Sequence, residues 1–360
     1  MNTQRLFGTD PVLWNKISMI VRFCAPRQVL STSPLNGGYR EDLTALFHYD
    51  ETREETPICT MRAETYEEHA ALIAEELGLN RHTVAGLTTA AHMRNAVCEE
   101  EVCGGVNVTA IVTAGVDRNG VRVGEPTQWD ERETQQHVAG TVNVFLAIDA
   151  HLKESALVRA VITATEAKTA ALQELLAPSL WTTGLATGTG TDGIAVIANP
   201  QSKIFLTDAG THSKLGEGIG KAVKRAVKKA LFLQTGLCEQ SQHDVQKRLG
   251  RFGVTEQNAL TQCGISAEGF RACVQKLSAR PNVVAEVSLL AHLLDEAAWG
   301  LLSESEVAKT AQEIFGRLGH PCTLSAEKAT DAIRNECFLW MAEEAENANN
   351  DKENGKRQAK

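Results

Sequence analysis

At Gly236 the hydrophobic periodicity of the chain changes, and this change limits its fold more than any other feature. Before that point, short apolar runs of period two alternate with longer runs of period 3.6; after it only the helical period remains. Strand-like runs fall at 28–33, 43–49, 84–89, 106–116, 141–148, 194–198 and 203–206. Helix-like runs fall at 64–79, 155–176 and 213–232. Interleaving of this kind predicts an α/β (or α+β) sandwich, a mixed sheet covered by helices. Past Gly236, helices are expected at 245–249, 269–277, 283–302, 304–318 and 325–345, an all-helical region. The expected organisation is therefore a domain at 1–236, a helical domain or extension at 237–345, and a polar, disordered tail at 346–360.

The run 213–232 is the cleanest helix. Leu215, Ile219, Ala222, Val223, Ala226, Val227, Ala230 and Leu231 form one apolar stripe. Lys221, Lys224, Arg225, Lys228 and Lys229 fall mostly on the other side and read as a solvated face. The formal charge of -9 argues against a general nucleic-acid partner. Between Trp14 and Ala25 the apolar stretch is broken by Lys16 and Arg22, so no membrane span or signal segment is expected there. Nine cysteines without a framework fit a reducing, cytoplasmic setting. Cys98 and Cys103 make the one close pair and no second pair follows at zinc-ligand spacing, so no metal site is expected.

Three strings carry the chemistry: TATEAKTAALQELL at 163–176, GLATGTGTDG at 184–193 and GTHSKLGEGIG at 210–220. The loop Gly188, Thr189, Gly190, Thr191 can bring backbone N–H groups up to an anion or a carbonyl oxygen. A strand follows it, whereas phosphate-binding loops lead into a helix. Tight turn geometry explains its glycines but not Asp192. Ser213 reads as a helix N-cap, with His212 just before it. Lys214 stands in a first helical turn, where the dipole disfavours a cation, and so calls for an anionic neighbour. Gly216 and Gly220 share a face, which points to a close approach by another backbone or a ligand. Glu166 and Lys168 sit in the helix at 155–176, whose apolar stripe is read as Ile162, Thr165, Thr169, Leu172 and Leu176. Asn36, Gly37 and Gly38 form a turn suited to ligand contact, and Thr88 and His92 follow a strand, where site residues of α/β folds collect.

Together with STSPLNGG, GLTTAAHM, TAGVDRNGVRVG and GTVNVFLAI, these strings resemble the adenosylcobinamide amidohydrolase family over roughly residues 28–232. The resemblance implies hydrolysis of the amide that joins a corrin propionate side chain to aminopropanol. The products would be adenosylcobyric acid and 1-amino-2-propanol. It implies a corrinoid as substrate and no separate cofactor; self-association is left open, and the helical region is not covered. A corrinoid-binding or corrinoid-sensing protein without catalysis is the competing reading.

Amide hydrolysis needs an activated water or nucleophile, an oxyanion stabiliser and a proton for the leaving amine. The sequence offers Glu166, Asp192 and His212 for acid–base work. Lys168, Lys214 and the loop amides are the oxyanion candidates, and Thr189, Thr191 or Ser213 a possible nucleophile. Glu166, Asp192 and His212 are expected around one pocket, and their replacement to leave stability nearly unchanged.

Overall fold

The computed structural model describes residues 4–52, 61–126 and 141–358. The chain divides into two compact units, 1–181 with 185–238, and 182–184 with 239–360.

The first unit opens with β1 (Arg5–Leu6), β2 (Asp10–Trp14), β3 (Ser18–Arg22), β4 (Gln28–Ser31), β5 (Gly38–Arg40) and β6 (Ala45–Asp50). Then come α1 (Tyr66–Glu76), β7 (Val84–Thr89), β8 (Val97–Cys103), β9 (Val106–Ala114), β10 (Gly120–Val121), β11 (Val142–Ile148) and β12 (His151–Leu152). Helix α2 (Glu154–Glu174), β13 (Gly188–Thr189), β14 (Gly193–Ala198), β15 (Phe205–Leu206) and α3 (Lys214–Thr235) complete it. One sheet has the order β1-β2-β3-β6-β7, the other β5-β4-β14-β11-β9-β8. Both are mixed: β6–β7 and β11–β14 are parallel, the other pairs antiparallel.

Period-two alternation builds four layers from these elements. In β11, Val144, Leu146 and Ile148 pack with α2 and α3, while Phe145 and Ala147 pack with the five-stranded sheet. In β6, Leu46 faces the other sheet and Ala45, Phe47 and Tyr49 face α1. The order is thus α1, five strands, six strands, then α2 with α3. This agrees with the expected helix-covered mixed sandwich, with two stacked sheets in place of one.

The N-terminal strands β1 to β3 and the strand β8 are additions to the sequence reading. β8 carries Glu99, Glu100 and Glu101, which break any apolar alternation. They meet the basic face of α3: Arg225 pairs with Glu101 at 2.6 Å and Lys229 with Glu99 at 3.1 Å. Lys224 and Lys228 both reach Glu174, and Lys221 reaches Glu217. The cations of that face are matched within the fold.

The stripe of α3 is buried as read. That of α2 is not. Ile162 and Thr165 are exposed, and the buried face is Ala156, Leu157, Ala160, Thr163, Ala164, Ala167, Ala171 and Leu172. Alanine has little hydrophobic weight in a periodicity count, yet it lets α2 lie close to the alanines of α3.

The second unit is all helical: α4 (Val245–Leu249), α5 (Glu256–Cys263), α6 (Ala267–Ser278), α7 (Pro281–Ala298), α8 (Glu304–Arg317) and α9 (Ala329–Gln358). Its own core gathers Phe270, Leu277, Val287, Leu290, Phe315, Ile333, Phe338, Trp340 and Met341. Left-handed glycines at 253 and 264 stop helices, and Ser303 with Glu306 forms a capping box that starts α8. The last helix continues through 346–358, where a disordered tail was expected.

The glycines of α3 separate into two kinds. A Cβ on Gly216 would stand 1.9 Å from the Gly210 carbonyl oxygen, whereas one on Gly220 would meet nothing within 4 Å. Close approach therefore explains Gly216 but not Gly220. Gly216→Ala is expected to destabilise by about 2 kcal/mol, since rigid backbone must move. Gly220→Ala should stabilise by about 1 kcal/mol through helix propensity. Urea unfolding of both variants checks the opposite signs.

Candidate active site

The Gly/Thr loop comprises β13 and the turn from it into β14, and Asp192 is its hub. Asp192 Oδ1 accepts from Val142 N at 2.9 Å and Thr189 Oγ1 at 2.6 Å; Oδ2 accepts from Thr189 N at 3.1 Å and from Lys168 Nζ. The Lys168–Asp192 pair is largely buried, its side chains 12% and 17% exposed. A Cβ on Gly188 would stand 2.3 Å from Asp192 Oδ2 and 2.6 Å from Lys168 Nζ, so a larger residue there would push the pair apart. Further anchors come from Thr169 Oγ1 to the Thr187 carbonyl (3.1 Å) and Thr141 Oγ1 to the Thr191 carbonyl (2.7 Å). Gly190 and Thr191 remain exposed at the tip. Asp192 is thus occupied by donors, as a carboxylate that shapes a loop is, and Lys168 keeps two N–H donors to offer.

On the other face of the same strand ends lies a second polar group. β7 runs across the rim of the six-stranded sheet and touches its strands in turn. Gly86 N donates to Ser33 Oγ at 2.9 Å, Leu87 packs against Gly193, and Asn143 Nδ2 donates to the Thr88 carbonyl at 2.6 Å. Thr113 Oγ1 lies 3.3 Å from Thr89 Oγ1. Asn143 Nδ2 and Thr113 Oγ1 each stand 3.2 Å from His48 Nε2. His48 is fully buried, and burial pushes its pKa down to about 3, so the ring is neutral. Its Nδ1 has no hydrogen-bond partner.

Beyond His48, Asp50 is also fully buried. Its Oδ1 accepts from Thr52 N (2.9 Å) and Thr52 Oγ1 (2.6 Å), and its Oδ2 faces His92 Nδ1 at 3.4 Å. The backbone of His92 is fixed by Gln234, whose Oε1 accepts from His92 N at 3.1 Å and from Asn95 Nδ2 at 2.8 Å.

The structure places the sequence-derived residues in three groups. Lys168, Gly188, Thr189 and Asp192 are in mutual contact, with Gly190 and Thr191 at the loop tip. Thr88 and His92 lie on or just after β7. The Asn36 side chain donates to the carbonyls of Arg81 and Val84, the latter the first residue of β7, and a Cβ on Gly37 would strike the Ser33 carbonyl; Gly38 has φ +81°. The turn thus braces the start of β7. The third group is separate. Ser213 caps α3, accepting from Gly216 N at 2.9 Å. Lys214 finds its anion in Glu217 at 2.8 Å. His212 and Glu166 are exposed, and no hydrogen bond or ion pair among the described residues joins either to Asp192 or Lys168. Glu166 is two positions from Lys168, so the two leave α2 on different sides.

The sequence reading passed over His48, Asp50, Thr113 and Asn143. A signal was present: His48 and Asp50 follow Leu46 at inward positions of an otherwise apolar strand. Polar groups at such positions are costly unless a network uses them.

Two stability predictions follow from this geometry. Asp192→Asn should lower the unfolding free energy by about 2–3 kcal/mol, because Lys168 is left largely buried without its partner; this revises the expectation of unchanged stability. Equal urea midpoints for variant and wild type would count against the hub. For His48, the unfolded chain takes up a proton near pH 6.5 and the folded one only near pH 3. Stability is then complete above about pH 6.5 and falls as pH drops towards 3, by at most about 1.4 kcal/mol per unit. His48→Gln should show a shallower loss than wild type between pH 6.5 and 4.5.

The sequence model of the adenosylcobinamide amidohydrolase family matches residues 8–239, more than half of the chain and all of the site. An uncharacterized protein of Methanocaldococcus jannaschii is 34% identical over 230 residues, covering 60% of this chain and 86% of that protein. The adenosylcobinamide amidohydrolase of Methanosarcina mazei is 34% identical over 158 residues, 41% of this chain and 66% of its own length. A crystal structure of a protein from Pyrococcus horikoshii OT3 covers 64% of this chain and 81% of its own, at 13% identity and a TM-score of 0.30.

Proposed function

Because the chain belongs to the adenosylcobinamide amidohydrolase family, we propose that it cleaves the amide between the corrin propionate side chain and aminopropanol in adenosylcobinamide. The products are adenosylcobyric acid and 1-amino-2-propanol. Complete corrinoids such as pseudocobalamin are the further substrates of this reading, cut at the same bond, in corrinoid salvage and remodelling. We place the reaction in the cytoplasm, with the corrinoid entering as substrate and no separate cofactor. Among the described residues no group of three or more His, Cys, Asp or Glu is arranged to hold a metal, and no helix is long and apolar enough to cross a membrane.

The observation that supports the reading best is the Lys168–Asp192 pair beneath the Gly/Thr loop. Attack on an amide carbonyl builds negative charge on its oxygen, and preorganised donors at that point lower the barrier. Asp192 holds the Lys168 ammonium in one place, and the loop tip, Gly190 and Thr191, is exposed. Of the acid–base candidates, Glu166 and His212 stay part of the proposal as surface groups that turnover assays on Glu166→Gln and His212→Ala address.

Incubation with adenosylcobinamide, followed by chromatography, is expected to show adenosylcobyric acid and one equivalent of amine. Tight corrinoid binding with no product over a range of pH and added metals would favour the non-catalytic binder instead.

A further inference from the structure

A buried carboxylate normally fills both oxygens with donors, since an unpaired one costs its full desolvation. Asp50 does not. It is fully buried, Oδ1 takes both donors of Thr52, and Oδ2 has no hydrogen-bond partner. The group that Oδ2 faces is the His92 ring, whose Nδ1 stands at 3.4 Å from it and 3.3 Å from Thr52 Oγ1. A slightly long contact of this kind is common in an unliganded acid–base pair that tightens with substrate.

The setting distinguishes His92 from the other described histidines of this unit. His48 is sealed in the core, and His69 is enclosed by Glu51 and the Arg62 backbone. His82 and His212 are exposed and have no carboxylate partner among the described residues, and His151 lies edge-on to Phe205. His92 combines a buried carboxylate behind one nitrogen with a ring that is 28% exposed and a backbone locked by Gln234. Its Nε2 makes no hydrogen bond among the described residues.

We propose that His92 is the acid–base catalyst of the amide hydrolysis and that Asp50 is the residue that positions it. The proposal rests on the amidohydrolase reading above. Asp50 keeps the ring proton on Nδ1 and so leaves the Nε2 lone pair free. Nε2 takes one proton from water as the water oxygen bonds to the amide carbon. The imidazolium then gives that proton to the amide nitrogen as the carbon–nitrogen bond breaks. One carboxylic acid and one amine leave, and His92 returns to its neutral form.

The test has two arms. In the resting protein, ¹⁵N–¹H correlation of the His92 ring, assigned by its loss in His92→Gln, is expected to show the proton on Nδ1. In Asp50→Asn the two Thr52 donors keep the amide oxygen at the Oδ1 position. The NH₂ group then faces Nδ1, and the ring proton should move to Nε2. With adenosylcobinamide, both Asp50→Asn and His92→Ala should lower kcat by about 10²-fold or more with KM changed only a few-fold. Added imidazole should restore part of the His92→Ala rate, which a structural role would not allow. An Nε2 proton in wild type, or His92→Ala turnover within threefold of wild type, overturns the dyad while the amidohydrolase reading stands. Wild type without turnover overturns the reading, and the proposal with it. Circular dichroism checks each variant's fold; if Asp50→Asn unfolds, His92→Ala, at a partly exposed position, carries the decision.

Discussion

Asn143 fixes the end of the sandwich on which the rest of the site depends. Its amide is almost completely buried, so each of its polar atoms must find a partner or cost stability. The NH₂ group reaches the Thr88 carbonyl on one sheet and His48 beside it, while Oδ1 packs 3.4 Å from the Thr141 hydroxyl oxygen. Thr141 in turn holds the Gly/Thr loop through the Thr191 carbonyl, and the next residue, Val142, donates to Asp192. One side chain thus joins the polar group between the sheets to the lysine–aspartate pair on the helical face. At the other end of β14 a different pin serves. Arg27, buried, forks onto Asp10 at 2.7 and 2.9 Å and reaches Asn199 at 3.0 Å. Both ends of the stack are therefore set by directional bonds, and the apolar interior between them fills the space.

Much of the fold was legible because burial and periodicity agree in it. The stripe of α3 is built from residues of clear hydrophobic weight and was read correctly. The stripe of α2 is built from alanine, so the count drifted to Ile162 and Thr165, which face solvent. β8 escaped notice because its glutamates are satisfied by a helix more than a hundred residues later in the chain. No local pattern records such a pairing.

The site was legible where local oddity has a local cause. Asp192 among glycines and threonines stood out as unexplained by turn geometry, and the structure gives the cause, the donors gathered on its carboxylate. Lys214 at a helix start was an oddity with a bland answer, the neighbouring Glu217. The inward polar residues of β6, β9 and β11 stayed hidden, because each alone reads as a minor flaw in an apolar strand. Only the register that sets Thr113 beside Asn143, and β7 across them, shows that they belong together.

The pairing of β8 with α3 also bears on how the sheet ends. β8 is the outer strand of six, and an outer strand offers unpaired backbone groups to any passing strand. Here Arg225 Nη2 donates to the Glu100 carbonyl at 2.8 Å, so the cation that neutralises the glutamates also covers part of that open ladder. At the opposite edge β5 is three residues long, too short to template much. Growth of the sheet by edge-to-edge addition of a second chain is therefore disfavoured on both sides, by a covering cation on one and by brevity on the other.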